Sequence, residues 1–442
     1  MLQNYLKLAW RVLWRRKFFT FISLFGISFT LMSLMLFTAF FQTELGSKAP
    51  LSDQDKMIIF DLIELKKEYF DTIPVIDSSL IGGEMVYDTI SYKHESVGSG
   101  TSTNRVAETL ISAYYSDLES AKYHTIFATD RDFDIFRNNT KIGVKANSTD
   151  ANFWKVFDFK FLEGKGYSHQ EVEEEALKAV ISGNLAMKYF GRTNNVVGQE
   201  IEIDAKNYKI IGVVAKPAMA FNPVQSDFYT PYTLREKINQ DNFYSGPYSA
   251  IFVANNDAEA VKKEILHKNT LVPTDRSKDY NEVNVYPRSY SEKYAQNIWF
   301  DVDAAKSLKF VKLIVFGLLS LFVILPVLNL INLNVSRILD RSSEIGVRKA
   351  FGADRSNIIW QFVFENVVLT MIGGIIGFVF SYILMGMINA GGLLGKATLQ
   401  IDLKFAITAL LITILFGVLS GLLPALKISK TQIVNALKTN QL

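Results

Sequence analysis

The chain has 442 residues, is 49% apolar, contains 33 Phe and carries a formal net charge of only +3. That apolar share is ordinary for a soluble protein, but its distribution is not. Residues 18–43, 313–336, 366–395 and 405–426 contain no Asp, Glu, Lys or Arg, and each run exceeds the roughly 20 residues that cross a bilayer core. An integral membrane protein follows, and a cytosolic enzyme, a nucleic-acid binder and a disulfide-stapled secreted domain are excluded as first readings.

Residues 1–17 place Lys7, Arg11, Arg15, Arg16 and Lys17 among Trp10, Leu13 and Trp14, which reads as an amphipathic cytoplasmic segment on the membrane surface. The first span covers 18–43. Its apolar run is longer than the 7–15 residues of a signal-peptide core, so it is expected to stay in the mature chain. Residues 44–309 then turn globular. The run KAVIS at 178–182 has strand length. Ser182 can cap a helix through Phe190, and Gly191 can end it. Residues 199–203 alternate, with Ile201 and Ile203 on one face. A turn at 204–207 and a second strand at 208–214 follow. The aromatic stretch 153–159 closes on Gly164, 228–232 reads as a strand ended by Pro231, and 258–267 as a short helix. Residues 292–309 contain neither Gly nor Pro, so a helical stalk is expected to run without a break into the second span at 310–336. Pro326 is a candidate kink there, with Asn329, Asn332 and Asn334 behind it.

The loop 337–357 carries RSSEIGVRKAFGA at 341–353. Ser343 can cap a short helix with Glu344 in its first turn, and Glu344 and Arg348 are spaced i,i+4 in the favourable order. Val347, Ala350 and Phe351 share one face, Ile345, Gly346 and Lys349 fill the turns, and Gly352 can close the helix. The plain reading of this stretch is a solvated loop. The third span (358–389) holds Gly373 and Gly377. The fourth (405–426) holds Gly417, Gly421 and Pro424. Small residues at this spacing let helices approach closely. Glu365 lies near one end of the third span, where an intramembrane acid is expensive; an ion pair or helix-end contact is the expected role. The external loop 390–404 contains GGLLGKAT at 391–398, which fails as a phosphate-binding loop. Ala390 stands where that motif needs Gly, and Ala397 where it needs Ser or Thr.

Charge sets the orientation. Residues 1–17, the loop 337–357 and the tail 427–442 together hold 13 basic and 3 acidic residues, whereas 44–312 holds 32 basic and 39 acidic. The positive-inside rule puts both termini and the loop 337–357 in the cytoplasm of a multi-pass inner-membrane protein, with the acidic segment outside. The chain contains no Cys, and His94, His124, His169 and His267 are scattered singly. No catalytic residue, metal site or cofactor is therefore expected.

The loop motif at 341–353, IIWQFVFEN at 358–366, GGIIG at 373–377, and the tail GLLPALK at 421–427 with VNAL at 434–437 resemble the FtsX-like permease family. NFWKVFDFKFLEG at 152–164 and the stretch 179–214 are similar to the periplasmic core domain of MacB-type ABC transporters. The resemblance implies an α-helical membrane protein of four transmembrane helices, with a large α+β extracytoplasmic domain between the first two. It implies a non-catalytic permease subunit that transmits ATP-driven movement to that domain for export or extraction of a substrate. A coupling helix formed by 344–352 would contact a cytoplasmic ABC ATPase. Members such as MacB carry the ATPase ahead of the first span, where this chain has 17 residues, so a separate ATPase subunit is expected. Further implied partners are a second permease (a homodimer or a sister chain), membrane lipid, and a periplasmic adaptor with an outer-membrane channel; nucleic acid is not among them. A second reading stays open, a regulatory membrane protein controlling an external partner such as a cell-wall hydrolase.

Overall fold

A computed structural model describes residues 17–46, 49–81, 84–217, 221–235, 243–274, 280–299, 301, 303–339, 347, 355–392, 398–399, 407–408, 411, 414–415, 417–418 and 421–422. It divides into two compact units, residues 1–46 with 309–442, and residues 47–308. The amphipathic segment expected at 1–16 and the tail 427–442 lie outside the described residues.

The chain enters through α1 (Lys17–Leu45), which contains the first apolar run. In the second unit, β1 (Met57–Phe60) is buried along its whole length. The next strands, β2 (Ile63–Ile81) and β3 (Glu84–Asn104), form one long antiparallel hairpin. Helix α2 (Glu108–Tyr114) leads to β4 (Ala121–Arg137) and β5 (Thr140–Thr149). A single turn, α3 (Phe153–Val156), precedes β6 (Phe161–Gly164) and α4 (His169–Glu173), whose Ser168 and Glu171 make a capping box. The β7 (Lys178–Ser182) and α5 (Gly183–Phe190) pair follows the expected chemistry. The Ser182 hydroxyl accepts from the Leu185 N–H at 3.1 Å, and Gly191 closes the helix at φ +71°. Next come β8 (Glu200–Ile203) and β9 (Lys206–Val214), joined by Asp204 and Ala205 at φ 54° and 55°, the signature of a tight hairpin turn. Then β10 (Phe228–Pro231), β11 (Ser249–Ala254), α6 (Ala258–Asn269), β12 (Glu282–Val285), β13 (Arg288–Ser289) and α7 (Tyr290–Ile298) complete the unit.

Ten strands form one mixed sheet in the order β13-β1-β11-β4-β5-β10-β7-β9-β6, with β8 on β9; β12, β2 and β3 form a second sheet. Two apolar cores result. One packs α2 and α6 against β1, β11, β12 and the start of β2 through Phe60, Leu65, Tyr115, Phe252 and Ile265. The other packs α5 against β5, β7, β8 and β9 through Val144, Ile181, Leu185, Ile201 and Ile210. Ile201 and Ile203 share the buried face of β8 as their alternation requires. The aromatic run folds inward: Phe153, Trp154, Phe157, Phe159 and Tyr229 meet in tilted and edge-to-face contacts at centroid distances of 4.6–6.4 Å.

The expected uninterrupted stalk is corrected. Helix α7 ends at Ile298, and α8 (Ala304–Leu339) begins anew. Asp301 accepts the Asp303 N–H at 2.9 Å, and Asp303 accepts the Ala305 N–H at 3.0 Å. These carboxylates offer the backbone a capped restart instead of a continuous helix. Helix α8 then runs 36 residues without interruption at Pro326 and contains the second apolar run. Helix α9 (Arg355–Gly391) contains most of the third. Two described helices meet the length and hydropathy of a membrane span, at Thr20–Thr43 and Ile359–Gly391. Within the fourth run, positions 407–408, 411, 414–415, 417–418 and 421–422 are helical.

Candidate functional site

The loop expected to form the coupling helix lies almost wholly outside the described residues: Glu344, Ile345, Gly346, Arg348, Lys349, Ala350, Phe351 and Gly352 are not described. Val347 is helical and about half exposed. Pro424 also lies outside the described residues.

The glycine positions form a close-packed seam within the first unit. A Cβ built on Gly373 would fall 2.7 Å from Ile27 Cγ2; on Gly377 it would fall 2.6 Å from the Ser28 carbonyl oxygen and 3.2 Å from Leu31 Cβ. Only glycine lets α1 approach that closely. A Cβ on Gly417 would fall 3.1 Å from Val367 Cα, and one on Gly421 would fall 3.1 Å from Val363 Cα and 2.8 Å from Asn366 Nδ2. One stripe of α9 therefore meets two partners. Val363, Asn366 and Thr370 receive the fourth apolar run, and Gly373, Gly377 and Ser381 receive α1. All six are buried, and their three- and four-residue steps put them on one face. Thr370 Oγ1 donates to the Asn366 carbonyl at 2.7 Å within its own helix, whereas Ser381 Oγ lies 2.7 Å from the Phe378 carbonyl and 3.7 Å from Met35 Sδ on α1.

The glycine repeats are visible in the sequence; the parts of Val363, Asn366, Thr370 and Ser381 emerge only from the structure. Their signal in the sequence is the continuation of the same helical spacing through small and polar residues in both directions. Glu365 stands beside the seam, 5% exposed, and accepts from Gln361 Nε2 at 3.3 Å within its own helix. Near the end of α9, Asn389 Nδ2 donates to the Leu399 carbonyl at 2.9 Å while Asn389 Oδ1 accepts the Leu399 N–H at 2.8 Å. This two-way amide clamp fixes the chain leaving the helix.

In the second unit two buried polar clusters stand out. Asp61 lies between Arg288 and Lys293, with Lys293 Nζ at 2.7 Å. Burial alone would raise its pKa, but the two cations hold it below the usual value. Asp150 has no cation of this kind. Burial pushes its pKa up to about 6, although Thr125 Oγ1 and the N–H groups of Ile126 and Phe153 donate to it. Both clusters brace strand junctions. Among the described residues no group of His, Asp or Glu is placed to hold a metal.

A family model described as the MacB-like periplasmic core domain matches residues 20–268, and one described as the FtsX-like permease C-terminal domain matches residues 315–433. The pyoverdine export ATP-binding/permease protein PvdT of Pseudomonas syringae pv. syringae is 28% identical over 295 residues, covering 65% of this chain and 42% of that protein. The macrolide export ATP-binding/permease protein MacB of Mannheimia succiniciproducens is 26% identical over 309 residues, 69% of this chain and 44% of its own length. The ABC transporter permease YknZ of Bacillus subtilis is 24% identical over 292 residues, 66% of this chain and 69% of that one. The chain thus spans less than half the length of the first two relatives. Among solved structures, the periplasmic region of MacB from Actinobacillus actinomycetemcomitans aligns at 13% identity and a TM-score of 0.32, covering 42% of this chain and 80% of that one.

Proposed function

The chain belongs to the family of permeases built on a MacB-like periplasmic core domain, and from that premise we propose that it serves as the non-catalytic permease subunit of an ABC-type exporter. Four spans carry it across the inner membrane, both termini and the loop 337–357 are cytoplasmic, and the sheet-rich unit lies outside. An ABC ATPase engages the coupling helix at 344–352, and its closure is passed through the helices to the external domain, which moves the cargo. Relatives named for pyoverdine and macrolide export support an export direction. A second permease completes the assembly.

The observation that carries this reading is the glycine seam. Helix α9 is locked to α1 at Ile27, Ser28 and Leu31 and to positions 417 and 421 through close backbone approach. Well-packed helices are poorly compressible and transmit displacement, and the described α9 residues of the seam are Val363, Asn366, Thr370, Gly373, Gly377 and Ser381, none of them charged. That suits a lever better than a pore. The restart at Asp301 and Asp303 puts a joint where the movement would leave the membrane helix.

The test is the coupling helix. Phe351→Ala removes an apolar knob whose interface value is about 2 kcal/mol, so ATPase affinity should fall about 30-fold. Gly346→Pro should uncouple ATP hydrolysis from export. Arg355→Ala, a change in one cytoplasmic charge worth about 0–1 kcal/mol, should do far less. Wild-type ATPase binding and export in both Phe351→Ala and Gly346→Pro would remove the coupling assignment.

A further inference from the structure

Helix α7 is the last element before α8, and it is fastened to the external unit at both ends. At its start Ser289 and Glu292 make a capping box, and Lys262 Nζ of α6 donates to both carboxylate oxygens of Glu292, at 3.0 and 3.2 Å. At its end the fastening is Gln296. That side chain is 8% exposed, and its amide works in two directions: Oε1 accepts from Arg288 Nη1, and Nε2 donates to the Asp301 carbonyl at 2.8 Å. Arg288 sits in β13 opposite Ile59 of β1 and is buried. Its Nη2 pairs with Asp61, which directly follows β1. A relay of polar contacts therefore runs from Asp61 through Arg288 and Gln296 to Asp301, from the second strand of the large sheet to the linker that precedes α8.

Chemistry dictates which way the amide points. A guanidinium only donates and a carbonyl only accepts, so a side chain between them must accept on one side and donate on the other. Glutamate could serve Arg288 but not the carbonyl, and lysine could serve the carbonyl but not Arg288. Stability alone does not account for the arrangement, because well-packed apolar residues generally match or exceed a buried ion pair. Hydrogen bonds add direction: they hold angles within a narrow range, whereas apolar contacts can slide. The carbonyl held in this way lies two residues before Asp303. The Asp303 carboxylate accepts the Ala305 N–H at 3.0 Å, and its carbonyl accepts the Ser307 N–H at 3.1 Å, the opening bonds of α8. Ser307 itself is fully buried. Fixing Asp301 thus fixes the place where α8 starts.

We propose that Gln296 is a positioning residue: locked by the Arg288–Asp61 pair, it latches the Asp301 carbonyl so that the start of α8 is held at one angle to β1 and displacement of the helix is delivered to that strand. That the joint carries displacement rests on the permease reading. That it is latched does not, and the measurement below needs neither an ATPase nor a cargo, so the two stand or fall separately.

The chain contains no cysteine, so spin labels go only where they are put. The full-length protein is reconstituted in lipid nanodiscs and diluted with unlabelled copies. Labels on Lys263→Cys of α6 and Lys309→Cys of α8, both exposed positions, should give one narrow distance distribution by pulsed electron spin resonance. Gln296→Glu keeps the acceptor for Arg288 and loses the donor to Asp301. It should leave the melting temperature unchanged and lower the ratio of the narrow population to a broad one by about fivefold or more, the worth of one hydrogen bond. Labels on Lys206→Cys and Lys263→Cys, both within the external unit, should not respond. Lys293→Met removes the other cation on Asp61, at 2.7 Å, without touching the relay, and should keep the narrow distribution. A broad distribution with Gln296 in place, an undiminished narrow one in Gln296→Glu, an equal loss in Lys293→Met, or broadening between positions 206 and 263 in Gln296→Glu would each overturn the proposal.

Discussion

Gly377→Ala isolates the seam between α1 and α9. The new methyl would sit 2.6 Å from the Ser28 carbonyl oxygen and 3.2 Å from both Ser28 Cα and Leu31 Cβ. Two of these three atoms are backbone, so no rotamer change relieves the clash, and ordinary contact requires α1 to retreat by roughly 1 Å. That retreat loosens the cluster of Ile27, Leu31 and Leu369. Overpacking of this kind typically costs about 1–3 kcal/mol, which for a unit of this size lowers the melting temperature by about 3–10 °C. Gly373→Ala meets Ile27 Cγ2 at 2.7 Å and Ile27 Cβ at 2.9 Å, and Cβ does not move when the side chain rotates, so a comparable loss is expected. Gly386, in the same helix, faces open space: a methyl there would meet nothing within 4 Å. Gly386→Ala should be neutral or slightly stabilising, since alanine is the better helix former by about 1 kcal/mol. Thermal melts in mild detergent, followed by size-exclusion chromatography, read all three. If Gly377→Ala melts with Gly386→Ala, the seam is not a tight backbone contact and the lever argument loses its support.

Two further expectations follow from charge. Asp150 keeps its proton in the folded protein up to about pH 6, whereas an unfolded chain releases it near 3.8. The folded state therefore binds more protons across that window, and stability falls as pH rises through it. The melting temperature of wild type relative to Asp150→Asn should decline between about pH 4 and 6. His124, lowered by burial, has the opposite sign but is common to both chains, so a pH-independent difference would refute the assignment. For topology, Lys206→Cys, exposed at the start of β9, should react with an impermeant maleimide added to intact cells. Ser343→Cys and Thr439→Cys should react only after permeabilisation, and labelling of Ser343→Cys from outside would reverse the orientation.

The legible parts of the fold are those whose signals are local. Ser182 and Gly191 bracket α5 because a hydroxyl cap and a left-handed glycine act within four residues of themselves. The turn at Asp204 and Ala205 is likewise readable, because Asp tolerates positive φ. The hairpin of β2 and β3 is not. Its two register shifts, between Tyr69 and Phe70 and between Val75 and Ile76, break the two-residue alternation that would announce it. Among the described residues, moreover, much of it packs against no core that would impose one. The stalk misleads for a related reason. The absence of Gly and Pro suggests continuity, yet Asp301 and Asp303 can end one helix and start another without either, because a carboxylate in reach of free N–H groups competes with the helical carbonyls. The glycine seam lies between these cases. The repeats at Gly373 and Gly377 and at Gly417 and Gly421 say that something comes close, which is a local statement. That both pairs serve the same stripe of α9 depends on Ile27, Ser28 and Val363 being brought together from distant points of the chain. A lever needs that convergence: two helices pressed on a third along one line must move with it, whereas the same glycines facing separate partners would let each helix move alone.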